Sequence, residues 1–408
     1  MVPTRVLYLS ATGALEPLGY SQVVRVVVPL AQRGHRLRLV SLERAQDLAD
    51  VERLRRVSTE LSAAGIEWSH LPYATGRGAA ADNQRRLTEA ALARTLGGRT
   101  DLVHCRGYLA AGAALTTKAL TRTPYLFDTR AYWFDEQRES GRRLQSNVAY
   151  GAAKVLERRL FAHSSGAVTL TQLAADDLRS GLFGPWPADK PAQAITTVAD
   201  YQAFAAHPPL PERDRAALAG RLVLGYVGSV NFWYEVTATI RLFQKVRALR
   251  PDALFLALCR QEDELQKLLN EQQVNSGDAL ITRASNDQMP AWLGAIDWGF
   301  LLLRKCFAKR ASMPTKLAEF FAAGVRPIAH GCNSEVDEWV RRAGTGVTVP
   351  DLTEHSLDAA AVEIAQTPSS PQLLSEGRER TRSHFGLDSA ISAYDELYRR
   401  LGNRSGFT

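Results

Sequence analysis

The feature that most constrains the fold of this chain is a repeated alternation of short apolar runs with amphipathic stretches. Short apolar runs bounded by turn residues are typical of buried strands, and the stretches between them have helical periodicity. In the first half of the chain the runs lie at residues 5–10, 37–42, 66–71, 101–104, 125–128 and 167–170. This order predicts an α/β domain with a doubly wound parallel sheet.

A cluster of prolines interrupts the alternation. Six of the 18 prolines fall in one short region, namely Pro185, Pro187, Pro191, Pro208, Pro209 and Pro211. Neither helices nor sheets tolerate proline well in their interiors. We therefore predict a first domain over residues 1–200 and a linker over residues 201–218.

The same alternation then restarts and predicts a second α/β domain over residues 219–385. Its candidate strands are residues 221–229, 254–258, 279–282, 298–303, 326–329 and 346–349. From residue 370 onward the pattern is helical only, and residues 386–408 are predicted to form a C-terminal helix that crosses back to the first domain. Two similar α/β units in one chain are typical of an architecture with two Rossmann-like domains.

Composition excludes several classes of protein. The chain has 408 residues, of which 45% are hydrophobic and 23% charged, as in ordinary globular proteins rather than disordered, collagen-like or coiled-coil ones. Its four cysteines lie far apart without a CxxC pair, which argues against a zinc site or a disulfide framework. With no secretory signal and no apolar run of membrane-spanning length, we expect a cytoplasmic protein.

The formal net charge is +7, and arginine far outnumbers lysine. This balance permits anionic substrates, nucleic acid or an acidic membrane surface, and it is equally typical of a GC-rich genome. Residues 142–161 form a basic amphipathic stretch, which is either a peripheral contact with the inner face of an anionic membrane or the solvated face of a core helix. Few aromatic residues interleave with its basic ones, so nucleic acid is not an expected partner.

The most informative segment is SMPTKLAEFFAAGVRPIAH, at residues 312–330. Pro314 suits the first turn of a helix, Ser312 is a candidate N-cap, and Gly324 is a candidate C-terminal stop. These signals predict a short helix over residues 314–323.

The start of this helix suits a diphosphate. Free N–H groups and the positive end of the helix dipole lie there, with Thr315 and Lys316 in the first turn. Glu319 follows four residues after Thr315 on the same face and is placed to accept hydrogen bonds from two ribose hydroxyls. The alternative is an ordinary amphipathic helix with a solvent-facing Glu319.

The segment resembles the donor-nucleotide motif of the family 4 retaining glycosyltransferases, S-x-P-x-K-L-x-E-[YF]-x-A-x-G-x-P-[VI]. The matching residues are Ser312, Pro314, Lys316, Leu317, Glu319, Phe320, Ala322, Gly324, Pro327 and Ile328. The resemblance implies the GT-B fold of two facing Rossmann-like domains. It also implies transfer of a sugar from a nucleoside-diphosphate sugar to a hydroxyl acceptor, with retention of configuration and without a metal ion or other cofactor.

Three segments of the first domain extend the resemblance. Residues 18–41 are similar to the family's first loop and helix, where Gly19, followed by Tyr20, lets the backbone approach a ligand. Residues 101–115 resemble a strand that ends in a histidine, here His104, which in the family touches the donor sugar or the reacting centre. A histidine packed at a strand end is the alternative. Arg106, two residues further on, is a candidate for the acceptor side of the cleft.

The third segment, residues 126–137, resembles an FDxRxxWxxE element of bacterial polysaccharide-type members through Asp128, Arg130, Trp133 and Glu136. Arg130 and Glu136 are candidates for binding acceptor hydroxyls or acidic groups, and Trp133 is a candidate sugar-stacking face. An ion pair between Asp128 and Arg130 that only orders the loop is the alternative.

The second domain departs from the family pattern in two places. Residues 228–236, with Gly228 and Ser229 as candidate donor contacts, contain no basic residue, although the departing diphosphate needs cationic stabilisation. We expect Arg260 and Lys316 to act catalytically by supplying the positive charge that this loop lacks. Lys309 and Arg310 are expected to bind the donor nucleotide. Ala311 replaces a glutamate that usually contacts the donor sugar. Lys309 and Arg310 either neutralise the diphosphate, which we prefer, or select an anionic sugar.

The alternative functions are a sugar-nucleotide epimerase or non-glycosidic coupling enzyme on the same fold, and a non-catalytic glycosyltransferase-like partner subunit. The two-domain architecture also predicts closure about hinges near residues 200–218 and 385–387.

Overall fold

The computed structural model describes residues 3–97, 99–206 and 208–402. They divide into two compact units. The first consists of the described parts of Met1–Thr196, Arg310–Ser312 and Leu387–Thr408, and the second of those of Thr197–Lys309 and Met313–Gly386.

The first unit is built on a seven-stranded parallel sheet with the order β3-β2-β1-β4-β5-β6-β7. Its strands are β1 Arg5–Ser10, β2 Arg36–Glu43, β3 Glu67–Pro72, β4 Leu102–Arg106, β5 Tyr125–Asp128, β6 Gly166–Thr169 and β7 Ala192–Ala194. Six of them lie where the apolar runs predicted strands. β7 gave no signal because it has three residues and directly follows Pro191.

Helices connect these strands. They are α1 Pro17–Gly19, α2 Arg25–Gln32, α3 Ala45–Leu48, α4 Val51–Ala63, α5 Ala79–Thr95, α6 Tyr108–Thr121, α7 Trp133–Glu139, α8 Asn147–His163 and α9 Gln172–Arg179. Since helices cover a parallel sheet, its strands are buried on both faces. Every residue of β4 and β5 is buried, and β5 is apolar up to its final residue, Asp128.

The second unit contains a six-stranded parallel sheet with the order β10-β9-β8-β11-β12-β13. Its strands are β8 Leu222–Val227, β9 Ala253–Leu258, β10 Ala279–Thr282, β11 Trp298–Leu302, β12 Arg326–His330 and β13 Val347–Thr348. Its helices are α10 Tyr201–Ala205, α11 Glu212–Leu218, α12 Val236–Leu249, α13 Glu262–Glu271, α14 Met289–Leu293, α15 Thr315–Ala323, α16 Ser334–Ala343, α17 Glu354–Gln366 and α18 Pro371–Phe385. Two buried apolar clusters pack against this sheet.

The boundary between the units differs from the prediction. The second unit begins at Thr197, and the segment predicted as a linker, residues 201–218, contains α10 and α11. The Asp200 side chain caps α10 by accepting hydrogen bonds from two backbone N–H groups. The prolines of this region precede or separate the helices rather than preventing them, because proline is tolerated at a helix start.

The last helix, α19 Leu387–Gly402, belongs to the first unit, which confirms the predicted return of the C-terminal helix to the first domain. The remainder of that prediction, residues 403–408, lies outside the described residues. Its buried face includes Tyr394 and Tyr398. The Asp395 carboxylate lies 2.7 Å from the His35 ring nitrogen Nε2, and the Tyr398 carbonyl accepts a hydrogen bond from the Thr4 hydroxyl. The first unit therefore uses residues from both ends of the chain. Both sheets have the doubly wound architecture that the GT-B resemblance implies.

Candidate functional site

The predicted phosphate-binding helix is present in the second unit as α15. It begins at Thr315, and its N-cap is Pro314, with φ −65° and ψ 127°. The prediction that Ser312 caps it is wrong, since the chain is still extended at Pro314. Proline has no side-chain hydrogen-bond acceptor, and α15 shows no side-chain cap. Its first N–H groups are therefore not satisfied by a side-chain cap and suit an anion. Gly324 ends α15 with φ 75°, as predicted.

Lys316 is held at this helix end by a small cradle. Its Nζ donates a hydrogen bond of 2.7 Å to the Tyr234 hydroxyl and lies 4.6 Å from the centre of the same ring. A Cβ added to Gly228 would lie 2.3 Å from Nζ, and Gly228 has φ 136°. Only glycine leaves room for the ammonium at this point and adopts this backbone conformation without strain. The cradle fixes one positive charge beside the start of α15.

The loop after β8 contains no basic residue, yet basic side chains from elsewhere in the second unit lie on its aromatic rings. The pairs are Arg304 with Phe232 at 4.1 Å, Lys309 with Trp233 at 4.0 Å and Lys316 with Tyr234 at 4.6 Å. A cation over a ring is attracted by its negative face. The three consecutive aromatic residues thus collect the positive charge that the loop itself lacks.

Glu319 lies one turn into α15 and is partly buried. Burial raises its pKa to about 7, and the opposing attraction of Lys316 only partly offsets this. Within the described residues its carboxylate makes no hydrogen bond or ion pair, so it is available to hydroxyl donors of a ligand.

The other donor-side candidates, Arg260, Gly228 and Ser229, lie after the strands β8 and β9. Arg260 follows β9 and is exposed, and the Gly228 N–H donates to the Leu258 carbonyl at the end of that strand. The Ser229 hydroxyl accepts a hydrogen bond from Asn231, which places it inside the loop's own network. Of these, Arg260 is the one with a side chain directed to solvent.

Lys309 and Arg310 do not act together. Lys309 lies on Trp233 in the second unit, whereas Arg310 belongs to the first unit. There its guanidinium makes two hydrogen bonds to the Asp177 carboxylate, at 3.0 and 2.7 Å. Ala311 is fully buried in the apolar core of the first unit. An alanine suits this position because a glutamate would have to bury its charge there.

His104 is enclosed in the first unit. Its side chain is fully buried, Nδ1 lies 2.7 Å from the Tyr398 hydroxyl, and Nε2 lies 3.5 Å from Asp128 Oδ2. Burial lowers its pKa, and the nearby Asp128 carboxylate opposes this only in part. The expected contact with the donor sugar does not fit this placement, since α19 covers the ring. The alternative, a histidine packed at a strand end, describes what is observed.

Asp128 is the centre of a polar cluster at the carboxyl ends of β4 and β5. Its carboxylate lies 3.4 Å from Arg130 and 3.7 Å from Arg106, and it accepts a hydrogen bond of 3.2 Å from the Tyr394 hydroxyl. Burial opposes ionisation of Asp128, but Arg130, His104 and Arg106 outweigh it and lower its pKa to about 2. The anticipated ion pair between Asp128 and Arg130 is therefore present.

The predicted role of Gly19 is corrected by the structure. A Cβ at Gly19 would lie 1.6 Å from the carbonyl oxygen of Gly13, so glycine is required by close packing within the chain rather than by a ligand. The hydroxyl of the following residue, Tyr20, donates to Glu60.

The remaining acceptor-side candidates lie on α7. Trp133 is partly buried and contacts Tyr108 and Phe134, with ring centroids 6.1 and 5.2 Å apart. Glu136 is partly buried in the first turn of the helix. Trp133 thus packs mainly against the core, which leaves little of its ring for stacking on a sugar.

Sequence reasoning missed Tyr234, Tyr394 and Tyr398. The run of three aromatic residues directly before α12 was the available signal for Tyr234. For Tyr394 and Tyr398 the signal was their i, i+4 spacing on an amphipathic terminal helix.

The exposed face of α8 is apolar and basic. Val148, Val155 and Leu156 are 84%, 47% and 42% exposed, and Arg158 and Arg159 are also exposed. The acidic residue of the helix, Glu157, is buried. Lys154 does not join this face, since its ammonium lies 2.8 Å from Asp135 in the interior.

The described residues offer neither a membrane-spanning helix nor a cluster of metal ligands. None of the helices they form is long and apolar enough to cross a membrane. Nor do they include a group of three or more histidine, cysteine or acidic side chains suited to a metal ion.

Comparison with known proteins agrees with these observations. Residues 21–193 match the Glycosyl transferase 4-like domain. The structure of HepE from Anabaena in complex with UDP and glucose superposes with a TM-score of 0.69 at 14% identity, covering 97% of this chain and 100% of that one. The α,α-trehalose 6-phosphate synthase of Burkholderia multivorans gives a TM-score of 0.68 at 12% identity, covering 98% and 100% of the two chains.

A UDP-N-acetylglucosamine 2-epimerase has a similar structure, with a TM-score of 0.64 at 11% identity over 99% of this chain and 97% of that one. No curated protein matches the sequence significantly. The domain match over residues 21–193 confirms the resemblance to family 4-type glycosyltransferases and supports a glycosyltransferase enzyme. The solved structures confirm the GT-B fold.

Proposed function

We propose, from the glycosyl transferase 4-like first domain and the GT-B fold, that the chain transfers a sugar from a nucleoside-diphosphate sugar to a hydroxyl acceptor with retention of configuration. The observation that carries the proposal is the start of α15. It combines N–H groups free of a side-chain cap, a seated Lys316 ammonium and an unpaired Glu319 one turn further along.

The chemistry follows from where charge develops. When the bond between the sugar and the diphosphate breaks, negative charge grows on the departing diphosphate oxygen. The N–H groups of α15 and the Lys316 ammonium stabilise that charge, and Glu319 orients the nucleotide through the ribose hydroxyls. The acceptor oxygen forms the new bond to the sugar, and the products are the glycosylated acceptor, the nucleoside diphosphate and the acceptor's proton.

We assign the acceptor to the first unit, where the carboxyl ends of β4 and β5 present the Asp128 cluster. In doubly wound sheets ligands bind outside the carboxyl ends of the strands. Arg130 is the most exposed residue of this cluster, since 16% of its side chain is accessible against 5% for Arg106. His104 is not assigned a contact with substrate and instead orders the cluster.

The test is a panel of UDP-, GDP-, ADP-, CMP- and TDP-sugars, with free nucleotide measured with and without added acceptors. Lys316→Met should abolish most nucleotide release, whereas Lys267→Met, at a 77% exposed lysine of the same unit, should not. Acceptor-independent conversion of the sugar would instead identify an epimerase. Failure of all donors to bind would identify a non-catalytic subunit.

The exposed face of α8 supports a proposed location at a membrane. A helix face that carries apolar and basic side chains but no acid suits an anionic lipid surface. Vesicles of phosphatidylcholine with phosphatidylglycerol should sediment the protein, and phosphatidylcholine alone should not. Val148→Asp should reduce this binding, whereas Leu120→Asp, at a 67% exposed residue of α6, should leave it unchanged. Equal binding by the wild type and the Val148 variant would contradict the assignment.

A further inference from the structure

The polar cluster around Asp128 carries more positive than negative charge. Arg106 and Arg130 both lie within 4 Å of the Asp128 carboxylate. Arginine stays protonated in proteins, and burial disfavours the charged form of His104. The groups that act most strongly on the two guanidiniums are the Asp128 carboxylate, the phenols of Tyr8 and Tyr394 and, for Arg106, the neighbouring Arg130. One carboxylate therefore faces two permanent cations.

Tyr8 and Tyr394 do not supply the missing negative charge. Burial raises the pKa of both phenols, to about 12 for Tyr8, so they stay neutral near pH 7. A buried excess charge is costly unless a partner neutralises it. The cluster is thus electrostatically incomplete in the protein alone.

Its hydrogen-bonding groups are also incomplete. The side chain of Arg106 is 5% exposed, and its Nε has no hydrogen-bond partner. Arg130 contacts Asp128 through Nη1 at 3.4 Å, and within the described residues its guanidinium makes no other hydrogen bond. Its side chain remains 16% exposed. Arg130 therefore has N–H groups to offer a ligand, while Arg106 adds charge from behind.

The backbone holds Arg130 in this position. β5 ends at Asp128, the Thr129 N–H donates to the Val168 carbonyl, and Arg130 adopts φ 62°. A left-handed conformation is unfavourable for a residue with a side chain and often occurs at functional sites. It turns the chain directly beyond the strand end, where the sheet presents its ligand-binding edge.

We propose that Arg130, supported by Arg106, binds a carboxylate or phosphate group of the acceptor, so that the acceptor is an anionic sugar or sugar phosphate. Identifying this ligand as the acceptor rests on the proposed glycosyl transfer. The anion site itself does not depend on that proposal. The diphosphate of the donor is assigned to α15 in the second unit, which leaves the positive charge of the first unit for another anion. Arg130 contacts the ligand, and Arg106 is a positioning residue.

The binding experiment uses acetate and inorganic phosphate as separate probes, because they distinguish a carboxylate from a phosphate ligand. Thermal unfolding is measured in Lys316→Met protein, which lacks the donor-side cation, with chloride of equal ionic strength as the reference. In the double variant Lys316→Met, Arg130→Gln, the preferred anion should no longer raise the unfolding temperature. Arg130→Lys should restore part of this stabilisation.

Arg122→Gln is the matched control, since Arg122 is an exposed arginine of the same unit with φ 60°. It should leave the anion effect unchanged. If neither probe stabilises the protein beyond chloride, or if Arg130→Gln responds as its parent does, the proposal is overturned.

The second measurement uses acceptors once a donor is known. Glucuronides and sugar phosphates are compared with the corresponding neutral glycosides. Arg130→Gln should lower kcat/KM for the preferred anionic acceptor about tenfold to a hundredfold, the scale of hydrogen bonds to charged groups, with the donor KM unchanged. Equal use of neutral and anionic acceptors by the wild type would overturn the proposal. Absence of donor binding would refute the proposed function alone, because the anion measurement needs no donor.

Discussion

Binding of the donor nucleotide is expected to strengthen about tenfold between roughly pH 6 and pH 8, because Glu319 must be ionised to accept two ribose hydrogen bonds. Burial raises its pKa to about 7. With that pKa, about one carboxyl group in eleven is ionised at pH 6 and about ten in eleven at pH 8. The apparent association constant should rise in the same proportion.

The Glu319 carboxyl group also makes the unliganded protein less stable as pH rises. Its pKa is higher in the folded state, about 7, than its ordinary value of 4.5, so the folded state binds more protons between these values. The free energy of unfolding should therefore decrease as pH rises from 4.5 to 7 and level off above 7. The decrease attributable to Glu319 is at most about 3 kcal/mol, and less to the extent that the partly exposed carboxylate remains hydrated.

Isothermal calorimetry with an intact sugar nucleotide is the suitable assay, because its diphosphate diester has no proton to lose in this range. Glu319→Gln is the matched control. It should bind the nucleotide weakly at every pH, about 1 to 3 kcal/mol less favourably than the ionised wild type. A wild-type affinity that does not change from pH 6 to pH 8, or a Gln variant with the same pH dependence, would refute the assignment of Glu319 to the ribose.

Three further outcomes are expected from the cations of the second unit and the neighbouring segment. Lys316→Ala should lower turnover more than donor binding, because its charge matters most as the diphosphate departs; an unchanged kcat with a raised KM would argue against this. Tyr234→Phe should weaken nucleoside-diphosphate binding in the wild type but not in Lys316→Met protein. If the substitution weakens binding equally in both proteins, the hydroxyl acts independently of Lys316. Lys309→Ala should weaken binding of the free nucleoside diphosphate, whereas Arg310→Ala, which breaks a pair within the first unit, should lower thermal stability instead. Calorimetry and thermal unfolding of both variants test this division, and it is wrong if the two variants behave alike.

Local sequence determined the parallel strands and the site helix. The apolar runs that became β1 and β5 coincide with the predicted segments, because strands buried on both faces need continuous apolar residues over a short length. α15 and its Gly324 stop were also predictable, since helix ends depend on residues adjacent in the chain. The resemblance to a glycosyltransferase motif rests on the same contiguous residues.

Tertiary structure decided what those residues contact. No local pattern shows that Tyr234 seats Lys316, 82 positions away, or that Tyr398 covers His104 from a separation of 294 positions. The placement of Ala311 in the core of the first unit, within a sequence that otherwise builds the second, was equally invisible. Such contacts depend on how whole elements pack, and packing energy is shared among residues distant in sequence. The sequence by itself therefore determined the elements and the donor motif, whereas the tertiary structure determined which charges are seated, buried or left without a partner.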